Sequence, residues 1–371
     1  MSFVWEPGLR LPAGTGGSEN YTIGHVRELN RRGVPAQVVT IGVGTADGRD
    51  EFVGIPFRSL ETVADVSDLD GTILFVTEFP PVATKSPAYQ ILHVPPPLRM
   101  HLRAAAVEGT RDRGLIATSR FAAELWAGFL DVDVATIDVV YPFAESCFAS
   151  QNRSASDAGA IRILYAGRLS PEKGIYTFLA MLHNDLVDKD LRLTFTATTA
   201  GADKPQGAII RGLLEAHPGV QLVPACKTPE AMAALMADHD IVVMPSNSQY
   251  WHETFGIVSI EAQHAGCRVV ASDDGGLPET DCGAVVLVTP DNAEALARGI
   301  VAATLLGPMR STERRVAASR FTVQASVDEL LRVLAGPRSI TPAAVVRELE
   351  ALALLPPLEV HAAAVAEPLN V

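Results

Sequence analysis

The chain is 371 residues long, 48% apolar and 20% charged, which is the balance of a packed globular protein with room for two domains that each bury a core. A net charge of −13 argues against nucleic acid as a partner, because a phosphate backbone is held mainly by Lys and Arg, and against a strongly electrostatic hold on anionic membranes. Arg27, Arg31 and Arg32 form a local basic group, read most simply as a solvated helix face.

Short apolar runs alternate with helical patterns almost from end to end, the signature of parallel α/β units. Phe3-Val-Trp5 reads as a first strand, residues 18–32 as a helix and residues 36–41 as the next strand. Runs at 72–77, 90–94, 114–118 and 137–141 continue the sheet, with a helix at about 120–130. Residues 1–148 then complete one doubly wound, Rossmann-like domain. Residues 149–159 are small and polar without an apolar period and read as a linker. A second series of strands follows at 161–166, 191–197, 220–223, 241–245, 268–272 and 284–288, giving a second such domain over 160–320. An amphipathic helix is expected at 321–335, and 336–371 is an extension of open role with a helical stretch near 342–354. In this α/β arrangement a ligand would lie in the interdomain cleft, at the carboxyl ends of the strands.

Cys147, Cys226, Cys267 and Cys282 are widely spaced and form no metal-ligand or redox pair, so reduced thiols in the cytoplasm are the simplest account. The start Met1-Ser-Phe-Val-Trp has no basic segment followed by a long apolar one, and no uncharged apolar run approaches the ~20 residues that span a bilayer. No transmembrane segment and a cytoplasmic location are therefore expected.

Three segments carry the chemistry. The first is Gly14-Thr-Gly16-Gly17-Ser18-Glu19, after the first strand, where glycines let backbone amides approach a phosphate or sugar and Ser18 is a candidate N-cap. Position 19 is Glu rather than Gly, and the second strand ends without an acid, so a dinucleotide site is not expected. The second is Gly167-Arg168-Leu-Ser-Pro-Glu172-Lys173-Gly174, a strand running into a turn with two cations five apart. On the residues alone, Arg168 and Lys173 either hold a leaving diphosphate or serve an ordinary Arg168–Glu172 pair with Lys173 in solvent. The third is Glu253-Thr254-Phe255-Gly256-Ile257-Val-Ser-Ile-Glu261, two carboxylates eight positions apart across a loop entering a helix. That helix would start near Phe255-Gly256 and present free amides and a positive dipole end to an anion. The plain alternative is a dipole partner at Glu253 and a solvated Glu261.

A strand, a loop with an acid, a helix with a second acid, another strand and the Gly275-Gly276-Leu-Pro-Glu279 turn together resemble the donor-sugar site of retaining glycosyltransferases of the GT-B type, family 4 (glycosyltransferase group 1). The resemblance implies a GT-B fold with a C-terminal crossover helix bracing the first domain. It also implies a nucleotide diphosphate sugar as co-substrate with no metal or resident cofactor, and an acceptor, whether a sugar, a small natural product or a lipid, on the first domain. Arg168 and Lys173 would grip the pyrophosphate, Glu253 would face the donor sugar, Glu261 would hold the ribose, and amides from Thr254 to Ile257, with Gly16 and Gly17, would hold phosphate or sugar. His93 would contact the donor sugar, with His101 as the alternative because Pro95-Pro96-Pro97 blurs the register, and Lys227 and Thr228 are weaker candidates to frame the base. A lone histidine such as His93 is otherwise an ordinary core residue. Residues 246–252 make the loop before Glu253 longer than in most such proteins and bring in Tyr250, Trp251 and His252, while Thr196-Ala-Thr-Thr-Ala-Gly201 lacks the family's usual Gly-x-Gly turn. The rival readings are a GT-B phosphorylase or sugar-nucleotide epimerase, and a non-catalytic carbohydrate-binding protein on the same fold.

Overall fold

The computed structural model describes residues 1–12, 16–153, 160–187, 192–249 and 251–336, the Met100 side chain excepted. Gly14, Tyr250, most of the linker and the extension beyond 336 lie outside the described residues. Within them the α/β class holds: two separate, wholly parallel sheets with helices on their faces.

The first sheet has the strands β1 (Ser2–Val4), β2 (Gln37–Ile41), β3 (Phe57–Leu60), β4 (Ile73–Phe75), β5 (Ala88–Leu92), β6 (Gly114–Ala117) and β7 (Ile137–Val139), in the order β3-β2-β1-β4-β5-β6-β7. Its helices are α1 (Gly17–Arg31), α2 (Met100–Thr110) and α3 (Arg120–Leu130); the short α4 (Ser146–Ser150) that follows puts Phe148 into the core of the second sheet instead. The second sheet has β8 (Ile161–Tyr165), β9 (Leu193–Thr198), β10 (Val220–Val223), β11 (Ile241–Met244), β12 (Arg268–Ser272) and β13 (Val285–Val288), ordered β10-β9-β8-β11-β12-β13. It carries α5 (Ile175–Met181), α6 (Pro205–Glu215), α7 (Pro229–Ala237), α8 (Ile257–Ala265), α9 (Ala293–Leu306), α10 (Ser311–Ala318) and finally α11 (Val323–Ala335). Each order reverses direction once, between β1 and β4 and between β8 and β11, and a crevice opens beyond the carboxyl ends of strands at such a point.

Central strands are buried on both faces and so read as continuous apolar runs. β3 was not apparent from that rule: it is an edge strand of sequence Phe-Arg-Ser-Leu with only Leu60 buried. The 90–94 run is shifted, since β5 ends at Leu92 and His93 lies just beyond it. Ser18 is not the cap expected of it: Gly16 occupies that place without a side-chain bond, and Ser18 sits inside the first turn, its carbonyl accepting from the Thr22 hydroxyl at 2.8 Å.

Val327, Leu330 and Val333 of α11 share one core with Val26 and Leu29 of α1, so the last described helix packs on the first sheet's layer and not on the second's. The two passages of the chain between the sheets lie side by side, with the Ala144 amide donating to the Phe321 carbonyl at 3.0 Å.

The interdomain cleft as a candidate active site

The turn after β8 is fixed from beneath. Tyr165 is buried, and its hydroxyl donates to the carbonyls of Arg168 at 2.8 Å and Lys173 at 3.1 Å, closing the loop around one phenol. Gly174 then turns with φ +69°, and a Cβ there would sit 1.6 Å from the Pro245 carbonyl oxygen, so the turn lies directly on the end of β11. The result is to aim Lys173 at the next loop, where its ammonium donates to Glu253 Oε1.

Glu253 is 9% exposed. Burial alone raises a carboxyl's pKa, but the Lys173 ammonium, a hydrogen bond from the Ser246 hydroxyl at 3.2 Å and the field of Arg168 outweigh it and hold Glu253 below its ordinary value. It is therefore a buried carboxylate at neutral pH. Arg168 is less committed: its guanidinium is more than half exposed and lies 3.4 Å from Glu172. Of the plain pairing weighed above, the Arg168–Glu172 contact is present but loose, and Lys173 is not in solvent.

The backbone of Glu253 and Thr254 is held by the glycine pair of the 275–279 turn. The Gly276 amide donates to the Glu253 carbonyl at 2.7 Å, and a Cβ on Gly275 or Gly276 would lie 2.4 or 2.3 Å from the carbonyl oxygens of Glu253 or Thr254. Phe255 is buried against Tyr141 and Phe321, at ring distances of 5.6 and 5.4 Å, and anchors the entry to α8, which begins at Ile257 with Gly256 as its cap. The first amides of α8 lack intrahelical acceptors. The start of α1 lies opposite: a Cβ on Gly17 would touch Ile257 Cδ1 at 3.3 Å, so two helix N-termini meet across the cleft.

Glu261 lies about one turn into α8, four residues after Ile257, is 3% exposed, and has no hydrogen-bond partner among the described residues. Burial, then the neighbouring Glu145, pushes its carboxyl up to about 8. Glu145 is itself raised, by burial first, and its carboxylate accepts from Arg27 at 3.0 Å.

His93 brings the first sheet into the same site. Its carbonyl accepts from the Thr254 hydroxyl at 2.6 Å, its ring stands edge-on to Tyr21 at 4.7 Å, and its buried Nε2 has no partner among the described residues. Burial, with a smaller push from His25, lowers its pKa to about 3, so the ring is neutral. His101 is exposed on α2. Lys227 is exposed, and Thr228 uses its hydroxyl to cap α7 at 3.2 Å from the Ala231 amide.

Other residues also gather here: Ser119, Phe121 and Asp274, which the sequence did not single out, and Glu19, His252 and Glu279, which it named without assigning a contact. Glu19 turns its carboxylate back over Gly16 at the start of α1; burial raises its pKa against its own amide and Arg168. In the long loop, Asp274 accepts from the His252 imidazole at 2.9 Å, and that ring packs 5.7 Å from Phe121 of the first domain. Ser119 donates to the Thr254 carbonyl, and Glu279 accepts from α3. Only spacing along the chain could have hinted at these, and the pairs are 22 to 159 residues apart.

Residues 160–304 match the family model described as Glycosyl transferases group 1. A D-inositol 3-phosphate glycosyltransferase of Pseudarthrobacter chlorophenolicus is 30% identical over 223 residues, which cover 57% of this chain and 52% of the relative. Its counterpart in Segniliparus rotundus is 29% identical over 253 residues, 64% and 55% respectively. The chain thus spans about half the length of the curated relatives it matches. In three dimensions it is similar to a glycosyltransferase of Rickettsia africae, with TM-score 0.71, 16% identity and coverage of 94% and 98%. It is also similar to Anabaena HepE in complex with UDP and glucose, with TM-score 0.69, 18% identity and coverage of 91% and 99%. At those identities the structures speak for the fold. The cleft lined by Lys173, Glu253 and α8 therefore belongs to a chain that carries a group 1 glycosyl transferase domain on a GT-B fold.

Proposed function

We propose that the protein is a retaining, metal-independent glycosyltransferase that moves a hexose-type unit from a nucleotide diphosphate sugar to an acceptor held by the first domain. The observation that carries this reading is the convergence of one ammonium, one buried carboxylate and the N-terminus of α8 at a single point, with Glu261, unpartnered among the described residues, fixed about one turn along the same helix. The spacing suits a ligand with a diphosphate between two hydroxyl-rich rings.

In this reading Arg168, Lys173 and the first amides of α8 stabilise the charge that grows on the departing diphosphate. Lys173 then shares its proton-rich head between Glu253 and phosphate, and Glu253 steadies positive charge on the sugar ring. Glu261 accepts from the ribose hydroxyls, which supply the partners it lacks. His93, neutral and with a free Nε2, is suited to a sugar hydroxyl. Gly16 and Gly17 let the start of α1 approach the same ligand. Because the residues already present can neutralise a diphosphate, neither a metal nor a resident cofactor is called for. The relatives' printed activity and the UDP in the Anabaena structure support a nucleotide sugar donor and leave open an acceptor that is a sugar, a small natural product or a lipid.

No described helix is long and apolar enough to cross a membrane. All four cysteines are unpaired thiols, which supports the cytoplasm as the site of reaction.

The test is a thermal-shift screen with UDP, GDP and ADP, followed by transfer assays from the matching sugars with the product's anomeric configuration read by NMR. A ligand at about 100 times its dissociation constant should stabilise the protein by about 2.7 kcal/mol. Stabilisation by none of the three nucleotides, or a product of inverted configuration, would refute the reading. Donor cleavage that requires inorganic phosphate would favour a phosphorylase, and unchanged turnover in Glu253→Ala would remove Glu253 from the chemistry.

A further inference from the structure

Beside the ring and apolar contacts described above, a group of directional hydrogen bonds joins the two domains at the cleft. Glu279, in the second domain, places both carboxylate oxygens on the first: Oε2 accepts from the Arg120 amide at 3.0 Å and Oε1 from the Phe121 amide at 2.8 Å. These are the first two amides of the eleven-residue helix α3, so a carboxylate from one domain occupies the dipole end of a helix in the other. The Tyr141 hydroxyl adds a third bond to Glu279, at 2.7 Å. Packed against the same turn, Thr254 is used twice: its hydroxyl donates to the His93 carbonyl at 2.6 Å, and its carbonyl accepts from Ser119, the side chain that caps α3.

Both anchor points are tied to the proposed reacting carboxylate. Glu279 and Gly276 belong to the same turn, and Gly276 holds the Glu253 carbonyl, while Thr254 is the next residue to Glu253. Domain approach and the placing of Glu253 and His93 are thus one event. A carboxylate accepting three bonds, two of them from a helix end, is a strong and geometrically demanding contact. It has no counterpart in an opened cleft, where Glu279 and the α3 amides would each return to water.

We propose that Glu279 is a positioning residue for the transfer reaction: it latches the second domain onto the N-terminus of α3, with Thr254 as the second bolt, and so sets Glu253 and His93 against one donor sugar. The proposal rests on the glycosyltransferase reading for its purpose and not for its geometry. Of the diphosphate and ribose contacts proposed above, the charged ones, Arg168, Lys173 and Glu261, and the start of α8 lie in the second domain, and only the backbone at Gly16 and Gly17 comes from the first, so most of the donor affinity is separable from domain closure.

The experiment compares wild type with Glu279→Ala, Glu279→Gln and Tyr141→Phe, each checked for native circular dichroism, by small-angle X-ray scattering and by transfer kinetics. Scattering reads closure without any activity, which keeps a failure of the latch distinct from a failure of the assigned chemistry. The expected result is a larger radius of gyration for Glu279→Ala in the presence of saturating UDP, with an open-to-closed ratio raised about tenfold or more. Turnover of Glu279→Ala should fall by a similar factor with UDP affinity unchanged within about twofold. Glu279→Gln keeps one acceptor oxygen and should recover part of the loss, and Tyr141→Phe removes a single bond and should lie between it and wild type. An unchanged radius in Glu279→Ala, or a loss of UDP affinity equal to the loss in turnover, would overturn the proposal. If Glu279→Ala does not fold, the Tyr141→Phe and Glu279→Gln radii decide it on the same terms.

Discussion

Replacing Glu261 by Gln separates what this carboxyl costs the free protein from what it does for a ligand. Burial and the neighbouring Glu145 raise it from an ordinary 4.5 to about 8. Between those values the folded chain keeps a proton that the unfolded chain has lost, so folding stability falls as pH rises through that window and levels off above it. Each pH unit is worth about 1.4 kcal/mol, and the window of about 3.5 units therefore caps the loss near 5 kcal/mol. Relaxation of the surroundings about a buried charge lowers this ceiling and makes about 2–4 kcal/mol the working figure. Glutamine carries no proton to lose. The expected outcome is that Glu261→Gln matches wild type near pH 5 and gains on it steadily to pH 8, read from urea midpoints at each pH. At the same time UDP affinity should drop about tenfold, the difference between a charged and a neutral acceptor for the ribose hydroxyls. A stability difference that does not change between pH 5 and 8 would refute the reasoning, because it would mean that Glu261 is ionised in the free protein.

Lys173→Met leaves the Glu253 carboxylate buried without its cation, so a loss of about 3 kcal/mol in urea denaturation is expected, together with loss of transfer. Stability within about 1 kcal/mol of wild type would show that water serves Glu253 instead. Arg168→Ala should do the reverse: its exposed, loose pair with Glu172 is worth no more than about 0.5 kcal/mol of stability, while affinity for UDP falls about tenfold or more, both measurable by calorimetry. Gly174→Ala puts a Cβ onto the Pro245 carbonyl at a positive φ, and should lower the melting temperature by the equivalent of about 3 kcal/mol or prevent folding; a near-native melting temperature would mean that the turn after β8 can shift.

The parallel sheets were legible because their central strands are buried on both faces and spell unbroken apolar runs, as Val269–Ala271 does. β3 escaped because an edge strand with one buried residue carries no such run. α2 escaped because its apolar residues mark no strong face and it follows a proline-rich stretch. Within the site, the local pieces could be read: the turn at Arg168 and Lys173, the helix start after Glu253, and Glu261 farther along it. What could not be read is which of them touch. Lys173 and Glu253 are 80 residues apart, and Glu279 reaches a helix 158 to 159 residues earlier; such partnerships depend on how the two sheets are set, which no local spacing encodes. The raised carboxyl of Glu261 was likewise invisible, since it comes from enclosure and from Glu145, 116 positions away in sequence at the start of α4.

The chain passes between its two sheets twice, and the passages are bonded edge to edge at Ala144 and Phe321. A single thread would act as a swivel and let one half rotate freely about it. Two threads fastened together behave more like the leaf of a door, permitting a swing about their common line and resisting twist. The mouth of the cleft can then part and meet again with its halves in the same register.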